Sequence, residues 1–416
     1  MSHASHVRLV VADDLHRSRL TVFFRLLLAI PHVIWILLWS IAAFFAAIAT
    51  WVAALVTGRP PRGLHRFLAA YVRYATHFSA YLFLAANPYP SFTGEPGYPV
   101  DIELPEPRRQ TRWKIALRLL LAVPALLLVG SLGSIGGSGG ASIGGVAAVC
   151  ALLGWFACLA LGRMPNGLRD LAAYSIGYTS QAYAYLLLLT DRYPTSDPEE
   201  AGPEWQLPEH PVRIEVTDDG RRSRLTVFFR FLLALPHFVW ITLWSVLAFL
   251  AAIANGLIAL VRGRSAEPLH RFLAAYVRYT THVGAFLLLA ANPFPGFTGA
   301  PGYPVAVAIG EATRQRRWVT LFRVFLVIPA LLVSAALTGA AFVAAFLGWF
   351  AALLTGRMPE GLRKLITVAL RYSAQTNAYW LVVTDSYPYA GPALREPAAT
   401  DELHEVAPLH PQPAEA

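Results

Sequence analysis

Residues 19–25 read Arg-Leu-Thr-Val-Phe-Phe-Arg, and the same seven residues recur at positions 224–230. A second block, Leu-His-Arg-Phe-Leu-Ala-Ala-Tyr-Val-Arg-Tyr, occupies 64–74 and recurs at 269–279. Both blocks are displaced by the same interval, so the chain consists of two homologous halves. A repeat of this kind determines the architecture before any single element is assigned.

Each half itself consists of two repeats. Arg25-Leu-Leu-Leu-Ala-Ile-Pro31 aligns with Arg118-Leu-Leu-Leu-Ala-Val-Pro124, and Arg230 to Pro236 aligns with Arg323 to Pro329. The sequence therefore predicts four tandem repeats, over residues 5–97, 98–200, 210–302 and 303–389.

Two further segments lie within or after these repeats. The second repeat contains a Gly-rich insert at 130–145, which we expect at a junction between helices because it is flexible. The last segment, 390–416, is rich in Pro, Ala and Glu and is predicted to be disordered.

Composition places the chain in a membrane. Of its 416 residues 56% are hydrophobic and only 14% are charged, whereas soluble domains carry about 25% charged residues. This excludes a disordered chain, an ordinary soluble enzyme and a nucleic-acid-binding domain. We attribute the net charge of +9 to cytoplasmic flanks and lipid headgroups. Acidic and basic residues precede the first apolar run, so no cleavable signal peptide is predicted.

Every repeat has the same predicted order of elements. An alternating segment such as Val212-Arg-Ile-Glu-Val216 predicts a strand. An apolar run follows and ends at Gly-Arg, and a second apolar helix comes after it. We expect the prolines in the first run to break it into an interfacial helix and a span. These prolines are Pro31, Pro124, Pro236 and Pro329.

The predicted fold class is thus an all-α polytopic membrane protein. It has about eight transmembrane helices in four two-helix repeats, interfacial helices, and short cytoplasmic strands that form one small sheet. The Gly-Arg loops hold fewer basic residues than the strand-side segments. The positive-inside rule therefore predicts an inner-membrane, multi-pass protein with both termini in the cytoplasm.

The second helices contain a polar stripe when they are aligned on the loop that precedes them. Spacing of four residues places its members on one helical face. Arginine at this depth requires water, a headgroup or another anion, so an anion- or lipid-binding cavity is one hypothesis. Snorkelling to the interface is the alternative. The candidate residues are Arg73, His77, Arg278, His282, Arg371, Gln181 and Gln375.

A second arginine set precedes the prolines in all four repeats and is predicted to mark the headgroup level as interfacial anchors. It comprises Arg25, Arg118, Arg230 and Arg323. The histidine pairs 65/77 and 270/282 are twelve residues apart and lack the spacing of a helical zinc site. No metal site, cofactor or catalytic motif is predicted.

These motifs resemble a bacterial membrane family, the domain-of-unknown-function family 4389, over roughly residues 5–390. The resemblance rests on the motifs Arg-Leu-Thr-Val-Phe-Phe-Arg, Gly-Arg-x-Pro-x-Gly-Leu and Thr-Asp-x-Tyr-Pro. It implies membrane residence and repeated helical pairs, and no catalytic residues. Repeats one and three depart from it, with Asn-Pro in place of Thr-Asp.

Three functions remain open. The first is a non-enzymatic membrane scaffold or lipid-interacting protein, which binds anionic headgroups and offers its strand face to a protein partner. The second is a transporter or channel for an anionic or lipidic substrate, built from parallel repeats. The third is a lipid-modifying enzyme that uses histidine. We favour the first, with membrane lipids as partners and no nucleic acid.

Overall fold

The computed structural model describes residues 7–133 and 145–394. It is mostly helical, as predicted, and each repeat contributes an apolar helical region followed by a more polar helix. We call the apolar helices the outer helices and the polar helices the inner helices.

The outer helices supply the membrane-compatible part of the fold. Large apolar side chains cover their outward surfaces, and residues such as Phe44, Leu250 and Phe342 are exposed. The outer helices are α1 (Arg19–Phe23), α2 (Arg25–Thr57), α4 (Arg112–Ala116), α5 (Arg118–Leu132), α6 (Val146–Leu161), α9 (Arg224–Leu233), α10 (Leu235–Arg262) and α12 (Arg317–Thr355).

Among the described residues, three helical segments are long and apolar enough to cross a membrane. They are Arg25–Thr57, Arg224–Arg262 and Arg317–Thr355, and α5 and α6 are shorter apolar helices. The prediction of eight spans is therefore not confirmed.

The predicted break at proline is wrong in three repeats. Pro31, Pro124 and Pro329 lie inside continuous helices, and only the third repeat is interrupted close to its proline, at Ala234. A proline removes one backbone donor, and in these three repeats the helix continues despite that loss. In the first two repeats the interruption instead falls one residue before the conserved arginine, at Phe24 and Leu117.

The Gly-rich insert lies at a junction between two helices, as predicted. Helix α5 ends at Leu132 and α6 begins at Val146, in a region where α2 and α12 are continuous. This junction follows the end of α5 and does not coincide with Pro124, which lies inside that helix. Residues 134–144 lie outside the described part of the chain.

The inner helices are α3 (Arg62–Leu82), α7 (Asn166–Leu186), α11 (Glu267–Leu287) and α13 (Glu360–Trp380). The Gly of each Gly-Arg motif closes the preceding outer helix in the left-handed conformation, with φ of 74° at Gly58 and 71° at Gly162. Glycine adopts this conformation without steric cost, which explains why the motif ends each helix. Most of α7 and α13 is buried.

Within each half the two inner helices run antiparallel. His65 at the start of α3 lies 3.4 Å from the carbonyl oxygen of Leu189, just beyond the end of α7. At their middle, Thr76 Oγ1 and Ser180 Oγ are 2.7 Å apart, and these two residues occupy equivalent positions in their repeats. Each half therefore has an approximate internal twofold axis through the centre of its inner-helix pair.

The strands form two separate sheets. Strand β1 (Arg8–Val11) pairs antiparallel with β2 (Val100–Glu103), and β3 (Val212–Val216) pairs with β4 (Val305–Ile309). A short helix, α8 (Pro198–Ala201), lies between α7 and β3. The prediction of one shared four-stranded sheet is wrong, because each strand pair packs on the inner helices of its own half.

Each sheet lies across the middle of its inner-helix pair. Leu9 is opposite its repeat equivalent Ile102, so the twofold axis passes through the sheet as well. A Cβ atom at Gly177, in the middle of α7, would lie 3.2 Å from the Leu9 side chain. The layers are therefore sheet, inner helices and outer helices.

Part of the predicted disordered tail is ordered against this core. Ala390 and Ala393 are buried, and backbone carbonyls in this segment accept hydrogen bonds from α13. Residues 395–416 lie outside the described chain.

Candidate functional site

The predicted anchor arginines are enclosed by protein. Each of these residues is only 1–4% exposed, and its guanidinium donates to a carbonyl oxygen four residues beyond the end of the inner helix of its own repeat. Arg25 reaches Ala86 at 3.1 Å, and Arg230 reaches Ala291 at 3.0 Å. Arg118 reaches Thr190 at 3.3 Å, and Arg323 reaches Thr384 at 2.9 Å.

This arrangement follows from the way the inner helices end. Their last carbonyls have no intrahelical donor and carry the negative end of the helix dipole. A leucine or valine in the left-handed conformation then reverses the chain, as at Leu84 with φ of 62°. In repeats one, three and four the arginine also donates to a carbonyl of the last helical turn. Its guanidinium stacks on an aromatic ring, 4.4 Å from the centroid for Arg25 and Tyr81. A role at the headgroup level stays a prediction.

The polar stripe faces the sheet and the segments that follow each inner helix. In repeat one, Asp101 of β2 lies 3.3 Å from Arg73 Nε and 2.8 Å from His77 Nε2. Partial burial raises the pKa of Asp101, but hydrogen bonds from His77 and from backbone amides outweigh it and hold the pKa below its usual value. This carboxylate therefore neutralises the first arginine of the stripe.

Repeat four stabilises its stripe arginine with backbone carbonyls in place of a carboxylate. Arg371 is buried and donates to the carbonyl oxygens of Ala393 at 2.8 Å and of Gly391. Gln375 donates to the Val212 carbonyl at 3.1 Å and accepts from the Tyr389 amide at 3.0 Å. These two side chains fix the chain that follows α13.

The glutamine of repeat two has a similar role. Gln181 Oε1 accepts a hydrogen bond from the Thr195 amide at 3.0 Å, and its Nε2 lies 3.5 Å from the Ala201 carbonyl oxygen. It therefore orders the segment between α7 and α8.

Repeat three differs because the acidic residue is missing. Ala306 of β4 occupies the position of Asp101 in β2, and no carboxylate in the described chain forms an ion pair with Arg278. The contact recorded for this half-buried side chain is a 3.4 Å hydrogen bond to the Ala274 carbonyl in its own helix. The neighbouring His282 ring lies 4.6 Å from that of Tyr303.

The structure thus does not gather the stripe arginines around a common cavity. Arg73 contacts β2, Arg278 lies on the helix that packs against β4, and Arg371 is enclosed by the last described residues. Sequence reasoning missed Asp101, although the difference between Asp101 and Ala306 is visible when the repeated strands are aligned. Among the described residues, no group of three or more His, Cys, Asp and Glu could hold a metal ion.

Sequence reasoning also missed a groove of about 690 Å³ in the C-terminal half. It lies between the inner helices α11 and α13 and the outer helices α9, α10 and α12. Its walls are mainly phenylalanine and leucine, and hydroxyl and amide side chains from the inner helices line it as well. These polar residues include Thr280, Thr281, Ser373 and Asn377.

The fold defines a class: a tandem-repeat, mostly helical protein with membrane-compatible outer helices. The chain belongs to the DUF4389 family, a domain of unknown function, and the match confirms the four repeats. The family profile matches residues 19–94, 112–196, 224–298 and 317–390. No curated protein and no solved structure is detectably similar to this chain.

Proposed function

We propose that this chain is a non-enzymatic integral membrane protein that binds the phosphate of an anionic lipid headgroup beside Arg278. In this proposal it serves as a lipid-binding scaffold of the inner membrane. Both sheets and both termini lie in the cytoplasm, where the sheets offer a docking face to a protein partner.

The layer order supports a specific arrangement in the membrane. Open sheet edges are not tolerated in hydrocarbon, yet each sheet crosses the middle of an inner-helix pair and has exposed charged residues such as Arg8 and Glu103. If the inner helices spanned the bilayer, these charges would lie at its centre. The inner helices therefore lie along the membrane surface at the depth of the lipid headgroups, the sheets face water, and the outer helices enter the hydrocarbon. This arrangement has fewer than the eight predicted spans.

The observation that carries the anion site is the difference between two equivalent arginines. Arg73 has Asp101 at 3.3 Å, whereas Arg278 has Ala306 beside its helix and no carboxylate partner in the described chain. A half-buried guanidinium without a counter-charge is stabilised by an anion, and its planar fork matches phosphate oxygens.

The test compares lipid retention by native mass spectrometry in micelles that contain either phosphatidylglycerol or phosphatidylcholine. Wild type should retain phosphatidylglycerol preferentially, and Arg278→Gln should lose that preference severalfold. Ala306→Asp should lose it too, because the new carboxylate would occupy the guanidinium as Asp101 occupies Arg73. Arg73→Gln is the matched control and should retain the preference.

Two further measurements complete the test. Arg278→Lys keeps the charge without the fork, so it should retain less phosphatidylglycerol than wild type. Free inorganic phosphate that displaced the lipid completely would indicate a soluble anion as the ligand and contradict the lipid assignment. Unchanged retention in both Arg278→Gln and Ala306→Asp would refute the site.

A further inference from the structure

The groove in the C-terminal half opens on the face of the inner helices opposite the sheet. On α11, Arg278 and His282 share the face that meets β4, whereas Thr280 and Gly284 line the groove. Residues two positions apart on an α-helix point about 200° apart. On α13, Gln375 contacts β3, whereas Asn377 lines the groove. The groove therefore belongs to the layer of the outer helices.

We infer that this groove binds an acyl chain of a membrane lipid, and that the side-chain amide of Asn377 hydrogen-bonds a polar group near the end of that chain, such as its ester. The inference rests on the proposed membrane residence and is independent of the anion site at Arg278.

The groove walls are apolar and exposed. Phe231, Phe342 and Phe346 line it and are each more than half exposed. Exposed apolar surface of this extent is unfavourable in water, and these walls continue the outward surface of the outer helices. In the proposed arrangement the medium that reaches them is hydrocarbon, so the occupant is an acyl chain.

A polar side chain without a partner in the described chain lies inside this apolar surface. Ser373 pairs with Ser334 at 3.0 Å, and the Thr280 hydroxyl donates to the Tyr276 carbonyl at 3.1 Å. The Asn377 side-chain amide, in contrast, has no hydrogen-bond partner among the described residues. An amide left unpaired in an apolar environment costs about 1–3 kcal/mol, and a lipid ester accepts its N–H while its chain fills the groove.

The equivalent positions in the first half of the chain have larger side chains. Tyr183 of α7 occupies the position of Asn377, and Ser79 of α3 occupies the position of Gly284. Smaller side chains at both positions leave space in the C-terminal half. A volume of about 690 Å³ falls within the usual range of about 300–1,000 Å³ for ligand sites.

The experiment uses the full chain in phosphatidylcholine vesicles that contain a phosphatidylcholine with a photoactivatable group on its acyl chain. Labelled peptides are mapped by mass spectrometry. In wild type, label should concentrate on groove residues such as Phe342 and Phe346 relative to exposed residues outside the groove, for which Phe44 is the reference. Asn377→Tyr, which introduces the residue of repeat two, should reduce groove labelling severalfold and leave Phe44 labelling unchanged.

Further variants separate the contribution of the Asn377 amide from that of the free volume in the groove. Asn377→Leu keeps a similar volume and removes the amide, so we expect groove labelling to fall less than in Asn377→Tyr. Gly284→Leu fills the groove from α11 and should reduce groove labelling as Asn377→Tyr does. Tyr183→Asn is the matched control and should leave groove labelling unchanged.

Equal labelling of Phe44 and the groove in wild type would overturn the inference even if no variant folded. Unchanged groove labelling in folded Asn377→Tyr and Gly284→Leu would overturn it as well. Because the vesicles are uncharged, failure of the Arg278 site would leave this result unaffected. Absence of acyl label from all outer helices would instead contradict the proposed membrane residence.

Discussion

Replacing Arg25 by methionine removes one of the four arginines that close the inner helices. Its guanidinium donates to the Ala86 carbonyl at 3.1 Å and also reaches the Tyr81 carbonyl. Without it, the Ala86 carbonyl lacks a partner in the described chain, which costs about 1–3 kcal/mol, and the Tyr81 carbonyl keeps only its hydrogen bond from the Leu84 amide. Relief of the buried charge offsets part of this loss. We therefore expect the free energy of unfolding to fall by about 1–3 kcal/mol.

The assay is reversible unfolding in mixed micelles, in which sodium dodecyl sulfate is titrated and helix content is followed by circular dichroism. Arg221→Met is the matched control because the Arg221 side chain is 76% exposed, and surface changes usually stay within about 0.5 kcal/mol. Equal stability of Arg25→Met and Arg221→Met would refute the conclusion that Arg25 stabilises the end of its inner helix.

Two further predictions concern the sheet side of the first half. The pKa of Asp101 is held below its usual value by hydrogen bonds, so its contribution to stability is present above its unfolded pKa. That contribution is lost as pH falls through the folded pKa, and thermal unfolding of Asp101→Asn should show a smaller loss over this acidic range than wild type. Gly94 has φ of 68°, and a Cβ there would lie 2.4 Å from the Ala70 carbonyl oxygen. Gly94→Ala should therefore lower the free energy of unfolding by about 1–3 kcal/mol. Gly63→Ala is the control, because a Cβ there meets open space, and it should leave stability unchanged. Equal thermal midpoints of the two variants would contradict this.

Sequence periodicity predicted the repeats, the strands and the Gly-Arg helix ends, because these depend on local chemistry. The left-handed glycines at Gly58 and Gly162 illustrate this, since a single residue type ends each helix. The prolines were misleading for a related reason. Proline removes one donor locally, yet α2 and α12 continue through Pro31 and Pro329.

The arrangement of the inner helices could not be predicted from sequence. Length and apolar content suggested spans, whereas their antiparallel packing depends on contacts between distant residues such as His65 and Leu189. The sheet position has the same origin, because Leu9 packs on Gly177 far along the chain.

The residues of the polar stripe could be predicted from the sequence, but the groups that they contact could not. The stripe was identified from helical spacing, but Arg73, Arg278 and Arg371 differ in what neutralises them. Those differences arise from Asp101, which is in a strand, and from carbonyls of a segment predicted to be disordered. The groove had no local signal, because it is formed by five helices.

The most direct test of the account measures which side of the inner helices meets water. Spin labels are placed one at a time at Ala308 on β4 and at Phe342 in the groove wall, with Cys150 and Cys158 replaced by alanine, in lipid vesicles. The account predicts that the Ala308 label is relaxed mainly by a water-soluble paramagnetic reagent and the Phe342 label mainly by oxygen dissolved in the hydrocarbon. Predominant relaxation of both labels by the same reagent, or a reversal of the two, would contradict it.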